Sequence, residues 1–181
     1  MGSRLERVLA LHCSPALFGI KSSNLINCNL KDYPNLEEDI LNLNNEFKDK
    51  IGFNILSKEN DHILLLVYKI KKLQETIFDS KNHQYLINNG YPNNYNLDDY
   101  LNCLKRRVII NNFPHEIGVF LGYDLNDIID FSKGNKKPIH VGYWSVYSNI
   151  EEKIKLFNKF TKCREVVTNL VMQGKALESM I

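Results

Sequence analysis

The sequence predicts an α+β fold: a single domain over residues 4–181, with about five strands in a mixed sheet packed by helices and a long C-terminal helix. Three observations carry this. The 181 residues are 44% hydrophobic and 24% charged, which suits one core rather than two domains. The run Ile63–Tyr68 lacks polar alternation, the mark of a strand covered on both faces. From Ile154 onward, Phe157, Phe160, Cys163, Val167, Leu170 and Val171 recur at helical spacing. Because β-rich runs and helical stretches are interleaved, strands meet both in hairpins and through crossovers. Residues 1–3 are placed outside the domain.

Leu5, Val8, Leu9 and Leu11 are spaced for a first helix ending near His12–Cys13. Ser14–Pro15 then reads as an N-cap and first helical position of a short second turn stopped by Gly19. Cys13 would thereby precede a helix N-terminus, where the dipole stabilises a thiolate. Leu25–Leu30 alternates as a strand. Leu36, Ile40, Leu41, Leu43 and Phe47 share one side of a helix whose first turn carries Glu37, Glu38 and Asp39. Phe53–Lys58 and His62–Ile70, separated by Glu59-Asn60-Asp61, read as a hairpin with Ile63–Tyr68 at the sheet centre. Helices are expected at Leu73–Phe78, at Asn82–Asn89 closed by Gly90, and at Leu97–Val108. Pro114 biases Phe113 to extended geometry, and Glu116–Tyr123, rich in Ile, Val and Phe, reads as a strand. Asp124 can cap a short helix through Leu125, Ile128, Ile129 and Phe131, closed by Gly134. A last strand is expected over Ile139–Tyr147, and Ser148 to Glu151 has capping-box spacing before the final helix.

Bulk properties narrow the function classes. Net charge is +2, and the basic clusters Lys71-Lys72, Lys105-Arg106-Arg107 and Lys136-Lys137 are short and separated, so no nucleic-acid partner is expected. The apolar run Ile63–Tyr68 is too short for a bilayer, and no signal peptide is evident, so the expected location is cytoplasmic, without membrane association. Cys13, Cys28, Cys103 and Cys163 lie far apart and form no CxxC pair, so they are read as free thiols.

Phe113–Asp127 is the stretch densest in chemistry, joining His115, Glu116 and Tyr123 to an apolar segment with Gly118 and Gly122. The leading expectation is a small-molecule pocket where the His12–Cys13 helix end meets the His115–Glu116 strand entrance. If it is an enzyme, Cys13 is the nucleophile, His115 the general base and Lys21 an anion or oxyanion partner. Glu116 can orient the base only if the strand has not yet begun, since strand neighbours face opposite ways. His12, Tyr123, Tyr143 and Trp144 are candidate ligand-wall residues, although on a strand Tyr143 and Trp144 would face opposite sides. The bland readings are a buried Cys13, a Glu116 paired with Lys21 or Arg106, and aromatic residues that only pack. A second hypothesis is a non-catalytic binder of a metal, tetrapyrrole or small cofactor through His12, Cys13 or His115. No metal site is assigned, because HxH, HExxH and CxxC spacings are all absent. A third is an interaction module without pocket chemistry, which would expose an apolar patch.

Leu11-His12-Cys13-Ser14-Pro15, Gly19-Ile20-Lys21, Asn24-Leu25, Leu64–Tyr68, Gly90-Tyr91-Pro92, Phe113–Gly118, Leu121-Gly122-Tyr123, Gly142-Tyr143-Trp144 and Val146-Tyr147 together carry a resemblance covering nearly the whole chain. The chain resembles domain-of-unknown-function family 3793, small bacterial proteins found largely in anaerobes. Asp124 stands where the family pattern has proline, a change confined to the turn. The resemblance implies membership and a shared site, and no mechanism.

Overall fold

A computed structural model describes residues 4–111 and 113–181; the expectation for residues 1–3 lies outside the described residues. The chain runs α1 (Arg4–Leu17), β1 (Ser23–Asn29), α2 (Leu36–Glu46), β2 (Ile51–Glu59), β3 (His62–Lys69), α3 (Ile70–Ile77), α4 (Ser80–Asn88) and α5 (Leu97–Asn111). Then come α6 (Ile117–Phe120), α7 (Leu125–Lys133), β4 (His140–Val141), β5 (Ser145–Val146), α8 (Ile150–Met172) and a 3-10 turn (Glu178–Met180). The fold is α+β with the long C-terminal helix expected. The sheet is not five-stranded: β1, β3 and β2 form a three-stranded sheet in that order, and β4 pairs with β5 apart from it. All three pairings are antiparallel, so the sheet is not mixed.

β3 takes the centre because its side chains are apolar on both faces. Ile63, Leu65 and Val67 enter a core with Leu5 and Leu9 of α1, Leu36 and Ile40 of α2, and Val167 and Val171 of α8. Leu66 and Tyr68 enter a second core with Leu73, Leu86, Tyr100, Leu104 and Phe120. Helices therefore cover both faces, and each β3 residue buries its apolar surface at about 25 cal/mol per Å². A third cluster of Trp144, Val146, Phe157 and Phe160 seats the β4–β5 hairpin on α8.

Glu116–Tyr123 is not a strand. Ile117 N and Gly118 N donate to Pro114 O and His115 O, and Leu121 N donates to Ile117 O at 3.0 Å, so the segment closes as the single turn α6. Gly122 at φ +71° ends it, and Tyr123 N returns to Gly118 O. A four-residue apolar run buried on all sides has no periodicity that separates helix from strand. Phe113, expected to be extended, has φ +72°. The expected Ile139–Tyr147 strand is broken into β4 and β5 by a turn in which Gly142 N donates to Trp144 O. The capping box before α8 is replaced by Asn149 in the left-handed region at φ 51°, which asparagine tolerates.

α1 is one helix through Leu17, with Pro15 inside it, rather than two pieces split at Ser14. Proline cannot donate to the carbonyl four residues back. That carbonyl, Leu11 O, instead accepts Arg164 Nε from α8. The Ser14 hydroxyl bonds back to Ala10 O and caps nothing. Gly19 does end the segment, at φ +71°. No helix among the described residues is long and apolar enough to cross a membrane.

Candidate functional site

The site is built from α6, α7 and the β4–β5 hairpin. Asp124 caps α7, its carboxylate accepting Asn126 N at 2.9 Å. One turn later Asp127, 1% exposed, accepts Trp144 Nε1 at 2.9 Å and Tyr147 N at 2.8 Å, which fixes the hairpin to α7. Lys153 of α8, also buried, pairs with Asp124 and lies 3.8 Å from Asp127. Its ammonium helps hold the Asp124 carboxyl below the ordinary value against the opposing effect of burial. Trp144 is thereby clamped between Tyr123, stacked at 4.7 Å between centroids, and the edge of Phe157 at 4.6 Å.

This arrangement walls a cavity of about 340 Å³ whose lining includes Phe113, His115, Tyr123, Phe131, Tyr143 and Trp144. His115 is exposed at its edge and meets the Phe131 ring edge-on at 5.5 Å. Gly118 lies beneath, where an added Cβ would come within 2.9 Å of Ile128 and 3.2 Å of Tyr123. Gly118 is therefore a position of tight packing. Both Asp127 oxygens are occupied by N–H donors, so the lining offers an imidazole and aromatic faces rather than an acid–base pair.

On the far side of Tyr123 and Trp144, which line both, lies a second cavity of about 330 Å³. Its lining is polar: Lys21, Ser22, Lys72, Thr76, Asn82, Asp124 and Lys153. Gly122 packs on Ser22 so closely that a Cβ would stand 2.7 Å from Ser22 Oγ.

The structure brings four of the candidate residues together, His115, Tyr123, Tyr143 and Trp144, and places Lys21 with Tyr123 and Trp144 in the second cavity. Tyr143 and Trp144 share a cavity because they sit in the hairpin turn and not on a regular strand. Cys13 does not join them. It lies inside α1 rather than before a helix N-terminus, is fully buried in the first core, and its thiol is pushed up by burial and then by Cys28. His12 lies 3.5 Å from Arg164 Nη2; partial burial and that guanidinium lower it from the ordinary histidine value. Glu116, buried at the start of α6, pairs with Arg107, not with Lys21 or Arg106. No group of three or more His, Cys, Asp or Glu among the described residues could hold a metal.

Reasoning from sequence missed Asp127, Lys153, Arg107 and Arg164. The three-residue step from Asp124 to Asp127 has capping-box spacing and could have drawn attention to Asp127. Pro15 within a helix implies an orphaned carbonyl at Leu11, but nothing local names Arg164 as its donor.

Compared with known proteins, residues 9–181 match the family model described as "Protein of unknown function (DUF3793)". No curated protein and no solved structure matches the chain.

Proposed function

Since the chain belongs to the DUF3793 family, whose description fixes no activity, we propose from the geometry that it binds a small, planar, largely apolar ligand in the cavity between His115 and Trp144. The observation that carries this reading is a concavity of about 340 Å³ with five aromatic rings besides the His115 imidazole on its walls. That volume falls within the range of roughly 300–1,000 Å³ usual for small-molecule sites. The walls are pre-formed, since Asp127 and Lys153 hold Trp144 from behind, so little ordering cost falls on binding. His115 supplies a polar contact at the rim. Binding without covalent chemistry is favoured over thiol catalysis because Cys13 is enclosed in the core, away from this lining.

Trp144 is the sole tryptophan and reports on the cavity directly. Titration with the neutral fluorophore phenylnaphthylamine is expected to give saturable energy transfer from Trp144. Phe131→Asp, at a half-exposed wall position, should weaken binding at least about tenfold, as expected from losing one ring's apolar contact. Absence of saturable transfer, or an unchanged affinity in Phe131→Asp, refutes the proposal.

A further inference from the structure

We infer that the second cavity is a binding site for a small oxyanion, a phosphate or carboxylate group, with the Lys21 ammonium as its principal contact. This goes beyond the aromatic cavity and does not depend on it. Three cations and one carboxylate line the space: Lys21, Lys72 and Lys153 against Asp124. Lys153 is already committed to Asp124. Among the described residues Lys72 pairs only with Glu75, at 3.7 Å, and both side chains are about half exposed. Lys21 is 6% exposed, yet among the described residues no carboxylate pairs with it and no acceptor is hydrogen-bonded to its Nζ. Its recorded contact is the Tyr123 ring, 5.4 Å from Nζ to the centroid. Buried charges in proteins are paired, coordinated or neutralised, and an unpaired ammonium lining a cavity leaves a place for a counter-ion from outside.

The surroundings of Lys21 leave room for an anion. Its other electrostatic neighbours, Cys13 and Arg164, act on it in opposite directions, and the Asp124 carboxylate in the same lining is taken up by Lys153. Ser22 Oγ and Thr76 Oγ1 are 2.6 Å apart; Thr76 donates to Lys72 O, so Ser22 donates to Thr76, and with both hydroxyl protons committed the principal donors to an anion are the lysines. Asn82 Nδ2 donates to Thr76 O at 2.8 Å, leaving its second N–H for a ligand. Gly122 keeps Cβ atoms out of the wall against Ser22, which preserves the space. An anion entering here gains charge-assisted hydrogen bonds from Lys21 and Lys72, shorter and stronger than neutral ones.

Calorimetric titration of the full chain with inorganic phosphate and, separately, benzoate at constant ionic strength tests the inference. Saturable binding of at least one in the millimolar range or tighter is expected, and the better of the two identifies the class of anion. Lys21→Met should abolish it, Lys72→Met should weaken it several-fold, and Lys136→Met, on the surface beside Asp130, should leave it unchanged. If Lys21→Met does not fold, the half-exposed Lys72 position carries the test. Failure of both anions to bind, or an affinity unchanged in Lys21→Met or Lys72→Met, overturns the inference. Phe131→Asp assigns the phenylnaphthylamine signal to the other cavity and Lys21→Met assigns anion binding to this one, so either reading can fall without the other.

Discussion

Replacing Lys21 by methionine removes a buried ammonium while keeping an unbranched stem in place. The lysine side chain is nearly fully enclosed, and burial lowers its pKa from the ordinary 10.5 to about 8, with Cys13 opposing the fall and Arg164 adding to it. At about 1.36 kcal/mol per pH unit, keeping the proton on folded Lys21 costs roughly 3–4 kcal/mol relative to the unfolded chain. Between pH 8 and 10.5 the unfolded state holds the proton that the folded state has released, so stability rises with pH across that window. Below it the full cost applies; above it the cost is gone. Lys21→Met abolishes the titration, so its stability relative to wild type should be roughly 3–4 kcal/mol more favourable at neutral pH than near pH 11. Urea unfolding followed by Trp144 fluorescence in phosphate-free, carboxylate-free buffers measures this, because a bound anion would offset the same cost. A difference between variant and wild type that is flat with pH refutes the reasoning.

The remaining predictions concern groups that the site does not use. Arg107→Ala strands the Glu116 carboxylate, whose side chain is 5% exposed, and should cost roughly 3 kcal/mol in urea unfolding, while Arg107→Ala combined with Glu116→Leu recovers most of it; equal losses in both would refute the pair's role. Iodoacetamide at neutral pH should modify the half-buried Cys163 at least roughly tenfold faster than the enclosed Cys13, mapped by mass spectrometry, with Cys13 reacting only in denaturant; rapid native labelling of Cys13 would reopen thiol chemistry.

Long, strongly patterned segments were legible from sequence. Ile63–Tyr68 declared its central place because neither face was polar, and Asp124 and Gly134 marked the ends of α7 through local chemistry. The apolar run after Glu116 was not legible: four residues enclosed on every side carry the same hydrophobicity as a strand, and only the returns to Pro114 O and His115 O decide the matter. For the site, His115, Tyr123, Tyr143 and Trp144 were singled out because they bring imidazole, phenol and indole groups close to glycines, and they line one cavity. Cys13 was misplaced because Ser14–Pro15 is a helix start by local rules, while here the missing hydrogen bond is restored from α8. Glu116 took the base neighbouring the one expected, Arg107 in place of Arg106, because the rotation of α5 and not its composition selects which side chain faces α6.

That restoration has a consequence for the order in which the molecule is made. A helix ordinarily closes from its own chain as it leaves the ribosome, within a few residues of each donor. By exchanging a local donor at position 15 for a guanidinium 153 residues beyond Leu11, the last turns of α1 make their completion wait for nearly the entire polypeptide. The same guanidinium lies 5.8 Å from the Tyr143 ring centre and 3.4 Å from its hydroxyl, so the arrival of α8 finishes the first helix and braces one wall of the aromatic cavity in a single event. Fragments lacking the C-terminal helix would thus carry neither the donor to Leu11 O nor the brace on Tyr143.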